Sequence, residues 1–261
     1  MTIFKHELKQ GRTSLIIWTA SISFLLGICI VIYPEMSAQM GDINSLFADM
    51  GSFSQAFGMD RVNFGEFIGF FSVECGNVLG LGGAFFAALL GISALAKEEQ
   101  AHTAEFLLTH PVSRTRIIAE KLCGVIAQLV LLNLAVIAVT ALAVLAIGEN
   151  ADAKTFAVLF LAFFLMQLEV AAITFGISAF LKRGGLGIGL GVAAMLYFLN
   201  IIANLIEETK FLKYITPFGY TEGADIIADG TINGGYLAVG AVLGLAGILL
   251  AFWNYRKKDI R

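Results

Sequence analysis

The chain has 261 residues, of which 58% are apolar and only 14% charged, with a mean hydropathy of +0.82. Soluble domains average about 25% charged and about 45–50% apolar residues, so a soluble enzyme is excluded and a polytopic membrane protein is expected. The net charge of −3 leaves no basic surface for nucleic acid. Cys29, Cys75 and Cys123 are isolated from one another and form neither a CxxC pair nor a disulfide framework.

In chain order, Met1–Leu15 comes first, and residues 1–14 read as an amphipathic interfacial helix. Ile3, Phe4, Leu8 and Leu15 fall near one face, and Lys5, Lys9 and Arg12 suit lipid headgroups and water. Two readings stand: a basic anchor that fixes topology, or a lever that carries motion from a cytoplasmic partner into the first span. The first apolar run is too long for a cleavable signal, and no small-x-small site follows it. A helix needs about 20 apolar residues to cross roughly 30 Å of hydrocarbon. Six segments within residues 15–261 meet that length: about Leu15–Tyr33, Phe70–Ala96, Lys121–Ile147, Thr155–Leu181, Gly185–Ile206 and Gly235–Tyr255. The expected fold is therefore all-α integral membrane, with six transmembrane helices.

Basic residues set the orientation. With both termini in the cytoplasm, that side carries thirteen of the lysines and arginines. The outer side carries four: Arg61, Lys154, Lys210 and Lys213. The expected location is the cytoplasmic membrane, multi-pass, with both ends inside. The first outer loop, Pro34–Gly69, mixes Glu35, Asp42, Asp49, Asp60 and Glu66 with Leu46, Phe47, Met50, Phe53 and Phe57. This mixture suggests helices lying at the outer surface.

Residues 97–116 connect the second and third spans on the cytoplasmic side. Thr103 can cap a short helix whose first turn suits Glu105. Phe106, Leu107 and Leu108 then make an apolar tip that water disfavours. Pro111 pushes His110 out of helical geometry, and Ser113 can cap the helix that runs through Arg114 and Arg116 into the third span. A rigid, apolar-tipped helix–break–helix facing the cytoplasm suits docking into another protein.

The stretch from Glu98-Glu99 through Thr103-Ala-Glu-Phe-Leu-Leu-Thr-His-Pro-Val-Ser-Arg114 to Lys121 resembles the signature of type-2 ABC exporter permeases. The matching positions are Glu98, Glu99, Glu105, Leu107, Leu108, Pro111, Val112 and Arg114, with Ala101-His102 standing where the family often places a glycine. The resemblance implies that this stretch, with Phe106 in its apolar tip, is a coupling helix seated in a cleft of a cytoplasmic ABC ATP-binding subunit. It also implies a second permease copy or paralogue as partner, with ATP and magnesium held by the ATP-binding subunit. This chain has no GxxxxGK[ST] of its own, so no cofactor is expected on it.

Before the last span, residues 207–234 contain Tyr214-Ile-Thr-Pro217-Phe218-Gly-Tyr220. This turn is similar to the Pro-Phe turn of a re-entrant outer element in the family. A plain amphipathic loop is the other reading, because a broken backbone in the bilayer must be buried in protein or line a wet cavity.

Glu169, Asn133 and Glu74 are candidate translocation-path residues. An ionised carboxylate at mid-bilayer costs at least about 2.5–3.5 kcal/mol, so Glu169 must face a partner, a wet cavity or a dimer seam. Substrate contact and a plain interhelical hydrogen bond stay open for Glu169, with Gln128, Gln167, Asn200 and Asn204 as polar neighbours by composition. Gly76/Gly80 and Gly187/Gly191 have the GxxxG spacing that permits close helix packing. His6, His102 and His110 lack ligand-like companions, so neither a metal site nor catalytic residues are expected. The sequence therefore reads as the membrane subunit of an ATP-driven exporter of an amphipathic or hydrophobic substrate. A gradient-driven carrier or channel using Glu169, with no ATPase partner, is the alternative, and a non-transporting scaffold is a third reading.

Overall fold

The computed structural model describes residues 2–39, 50–100, 112–149, 152–181 and 185–257, with 39 and 98–100 described in backbone only. The elements are α1 (Thr2–Gln39), α2 (Ser52–Ala56), a 3-10 turn (Met59–Arg61), α3 (Phe67–Cys75), a π-helical turn (Gly76–Gly80) and α4 (Leu81–Gln100). There follow α5 (Arg114–Ile147), α6 (Ala153–Ser178), α7 (Leu186–Leu205), 3-10 turns at Glu207–Tyr214 and Pro217–Tyr220, α8 (Gly223–Asp229) and α9 (Gly234–Lys257). No strand occurs among the described residues. Among the described residues, six helical stretches are long and apolar enough to cross a membrane: Thr2–Ala38, Phe67–Lys97, Arg114–Ile147, Ala153–Ser178, Leu186–Leu205 and Gly234–Lys257.

The amphipathic stretch 1–14 and the first span form one helix. With 38 residues, α1 is about 57 Å long at ~1.5 Å per residue, far more than the hydrocarbon needs. Ile22, Leu26, Ile30 and Tyr33 recur at helical spacing and are buried, while Ile17, Phe24, Leu25 and Val31 on other faces are exposed. A helix apolar on both its packed and its open face suits a hydrocarbon surround.

Local chemistry fixes the helix ends. The Ser113 hydroxyl accepts from the Arg116 amide at 3.3 Å, so Ser113 caps α5 as its sequence position predicts. Asp152 caps α6, accepting from the Thr155 hydroxyl at 2.5 Å and from the amides of Thr155 and Lys154. These bonds hold its carboxyl below the usual aspartate range. Gly148, at φ +72°, ends α5 in the left-handed conformation that a residue with a Cβ adopts only at a cost.

The α6 helix is central, packed on α4, α9 and α5. Small residues allow the approach. A Cβ on Gly247 of α9 would lie 2.6 Å from the Ala172 carbonyl oxygen, and one on Gly176 of α6 would lie 2.6 Å from the Gly247 oxygen. On the other side, a Cβ on Gly91 of α4 would collide with Thr174 and with the Ala171 carbonyl. Gly80 also packs tightly, at 3.0 Å from the Phe163 ring, but it ends the π-helical turn. The expected packing of Gly187/Gly191 is not made within the chain: both glycines are exposed, and a Cβ on either would meet nothing within 4 Å. The close contact passes instead to Gly176, Gly240 and Gly247, whose backbones abut a neighbour.

Arg114 donates from Nη1 to the carbonyls of Tyr255 and Arg256, at 3.3 and 3.4 Å. The Phe4 amide donates to Glu120 at 3.2 Å. Both ends of the chain and the start of α5 therefore meet at one end of the bundle, called here the terminal end. The 3-10 turns and α8 lie at the far end.

Candidate functional site

Of the expected ATPase-coupling residues, Glu105, Phe106, Leu107, Leu108 and Pro111 lie outside the described residues, as do the side chains of Glu98 and Glu99. Val112 is half-buried at the entry to α5. Arg114 caps the last carbonyls of α9, where a cation complements both the orphan acceptors and the helix dipole. The described residues on either side of that segment carry a network the sequence did not single out. Glu7 of α1 accepts from Lys97 of α4 at 2.5 Å through Oε2 and from Lys121 of α5 at 3.1 Å through Oε1. Lys121 is fully buried and also donates to the Ala94 carbonyl at 2.7 Å, while Lys97 donates to Gln10 at 2.8 Å. Gly124 lets the helices come this close, since a Cβ there would lie 2.9 Å from the Glu7 Cβ. One carboxylate thus joins three helices: α4, which leads into residues 101–111; α5, which leads out of them; and the first turns of α1.

The three candidate translocation-path residues are held in separate contacts. Glu74 accepts from the Cys29 thiol at 3.5 Å, between α3 and α1. Asn133 donates to Gln167 at 2.6 Å and to the Leu129 carbonyl at 2.9 Å, between α5 and α6. Glu169 is buried and accepts from the Tyr220 hydroxyl at 2.9 Å, joining α6 to the 3-10 turn Pro217–Tyr220. Its Oε2 also stands where a Cβ on Gly240 of α9 would go. The bond to Tyr220 is an interhelical hydrogen bond, while the Glu169 Oε1 is buried with no hydrogen-bond partner among the described residues. The amide side chain in Glu169→Gln still offers an oxygen to Tyr220, so that variant is expected to melt close to the unsubstituted protein. Glu169→Ala strands a buried hydroxyl and is expected to cost about 1–3 kcal/mol. Thermal unfolding in detergent checks this, and equal losses for the two variants would refute it.

Pro217 and Phe218 are buried, with Gly219 and Tyr220, among the helices. The Thr216 hydroxyl donates to the Leu196 carbonyl at 2.7 Å, and the rings of Tyr197 and Phe218 meet edge to face at 5.3 Å. The turn between the fifth and sixth membrane-length helices is therefore packed into the bundle.

Beside it lies a second feature that composition did not reveal. Glu222 accepts from Asn200 at 3.1 Å and from Asn204 at 2.5 Å through Oε1, and from Lys213 at 3.1 Å and Arg61 at 3.4 Å through Oε2. Arg61 also donates to Asp225. Asn200 and Asn204 appeared in the sequence as polar residues inside a span. Their partner lies some twenty residues on, beyond a proline turn, where helical spacing says nothing about contact.

The whole chain also matches a known family: the profile of ABC-2 family transporter proteins aligns with residues 1–260. The chain belongs to the ABC-2 transporter family. No curated protein matches it significantly. As an ABC-2 member it is a multi-pass membrane subunit of an ABC transporter, and the family implies association with an ATP-binding subunit. In ABC-2 terms the Glu7 network stands beside the segment that the sequence likened to a coupling helix.

Proposed function

We propose that this ABC-2 subunit moves an amphipathic or hydrophobic substrate out of the cytoplasm, driven by a separate ATP-binding subunit. Residues 97–116 dock into that subunit, and ATP and magnesium are bound there. A second copy or a paralogue completes the membrane part. The terminal end faces the cytoplasm of a cell membrane, as the excess of lysine and arginine on that side favours.

The observation that carries this reading is the Glu7 carboxylate held between Lys97 and Lys121. It supports a route by which a push on residues 101–111 moves three helices together. Lys121 is buried without any exposed edge, so the unit resists being pulled apart at the helix junction. An open groove of about 730 Å³ between α5 and α6, lined almost wholly by apolar side chains, supports a substrate with a hydrophobic part.

The test is purification from native membranes in mild detergent, with mass spectrometry of what accompanies the chain. A P-loop ATPase is expected with the unsubstituted protein and is expected to be lost from Leu107→Asp and Pro111→Gly. Its absence from both samples, with the permease intact and folded, would overturn the proposal in favour of a gradient-driven carrier.

A further inference from the structure

We infer that the far end of the bundle carries an ion-pair lid, formed by Arg61 with Asp225 and Glu222, over a small cavity between the α3–α4 span and α7. The cavity lies where the π-helical turn interrupts the second span. Gly76 and Asn77 of that turn line this cavity of about 70 Å³, together with Asn200 and Asn204 of α7 and the Glu222 carboxylate. A π-helical turn carries one residue more than the α-helix it interrupts and recurs at functional sites.

Both asparagines donate their Nδ2 to Glu222, which fixes the direction of the amides. The Asn200 Oδ1 is left buried with no hydrogen-bond partner among the described residues. An orphan acceptor beside a cavity that Asn77 and Asn204 also line marks a place for a donor from water or a passing molecule.

Above this cavity lies a vestibule of about 570 Å³, lined by Asp60, Arg61, Lys210 and Asp225 among others. Gly58, Asn204 and Glu222 border both spaces and form the partition between them.

The partition is graded in strength. The inner pair, Lys213–Glu222, is buried, with side chains 10% and 8% exposed. The outer pair, Arg61–Asp225, is 46% and 35% exposed, so its charges are readily exchanged for water. Burial opposes the charge on Arg61, but Asp225 and Glu222 outweigh it and hold the guanidinium firmly protonated. Arg61 belongs to a different part of the chain from its partners. It ends a 3-10 turn that starts after Gly58, whose φ of +67° turns the chain back over the cavity. The Asn204 amide and the Ala56 carbonyl, 3.3 Å apart, hold that turn to α7. Parting Arg61 from α8 therefore lifts one loop and leaves the buried pair below in place.

The lid's service in substrate exit rests on the permease reading, but its existence does not. The test uses the full chain in lipid nanodiscs, with Cys29→Ser, Cys75→Ala and Cys123→Ala as background and Asn77→Cys as reporter. The probe is a charged, membrane-impermeant thiosulfonate. The reporter is expected to label slowly while the ion pair is intact. Labelling is expected to rise about two- to fivefold in Arg61→Ala and in Asp225→Asn, as the protecting opening equilibrium shifts. Arg61→Lys, which keeps a cation within reach of Asp225 and Glu222, is expected to stay near the protected rate. Equal rates in all four backgrounds, or an Arg61→Lys variant that labels as fast as Arg61→Ala, would overturn the lid. Neither ATPase nor substrate enters this assay, so its failure leaves the permease reading standing. Loss of that reading in the purification experiment likewise leaves the lid standing.

Discussion

Glu7→Ala is expected to destabilise the subunit by about 3–5 kcal/mol, the range seen when one partner of a buried ion pair is removed. The carboxylate is 6% exposed and serves two lysines, of which Lys121 is fully buried. Bringing an ammonium group into that site is costly, and the Glu7 charge offsets much of the cost. Removing both charges is a different matter. Glu7→Leu with Lys121→Met takes away the carboxylate and the buried ammonium together, and is expected to recover a large part of the loss. Thermal unfolding of the purified protein in detergent distinguishes the cases. A single variant that melts like the unsubstituted protein, or a double variant worse than the single, would show that the network does not hold the terminal end. The double variant also separates stability from coupling: a folded permease that binds its ATPase but no longer transports would place the charge itself in the transmission.

Gly247→Ala is expected to lower membrane abundance and melting temperature more than any alanine exchange at an exposed glycine. Its Cβ would stand 2.6 Å from the Ala172 carbonyl oxygen and 3.1 Å from the Ile173 Cα. These are backbone atoms, which no rotamer change can move, so α6 and α9 must part. Overpacking of this kind costs about 1–3 kcal/mol for small insertions, and Gly247→Ile is expected to prevent folding altogether. The comparison that gives the result its meaning is Gly187→Ala and Gly191→Ala. Both have empty space around the new methyl group, and alanine improves helix propensity by up to about 1 kcal/mol. The subunit's own fold should be unharmed or slightly firmer. If all three alanines melt alike, the backbone contact between α6 and α9 is not what sets stability.

The spans were legible because each is one long apolar run with basic residues at its ends, and the Ser113 cap was legible because capping is local. What escaped were contacts between distant parts of the chain. Glu7 looked like one acid among Lys5, Lys9 and Arg12, and nothing in that stretch points to Lys121, 114 residues away. Glu222 sits outside any span, and only the fold brings Asn200, Asn204, Lys213 and Arg61 around it. The glycine spacing was a weak guide for a related reason. Small residues permit approach but do not name the neighbour, so Gly187/Gly191 carried the motif while Gly240 and Gly247 made the contact. Glu169 was singled out as costly in hydrocarbon, and its Tyr220 partner stands 51 residues on.

The α1 helix runs from the Glu7 network to the far end of the bundle. The helix is gripped at one extreme through Glu7, and near the other Tyr33 donates to the Gly65 carbonyl at 3.0 Å, just past the turn that carries Arg61. From Glu7 to Tyr33 the helix runs about 39 Å at ~1.5 Å per residue, and a pivot of about 5° sweeps that far point through roughly 3 Å. That arc is longer than a hydrogen bond can stretch and still hold. A slight inclination at the terminal end thus displaces the Tyr33–Gly65 contact by a comparable distance, since Pro34, the proline inside α1, lies beyond it.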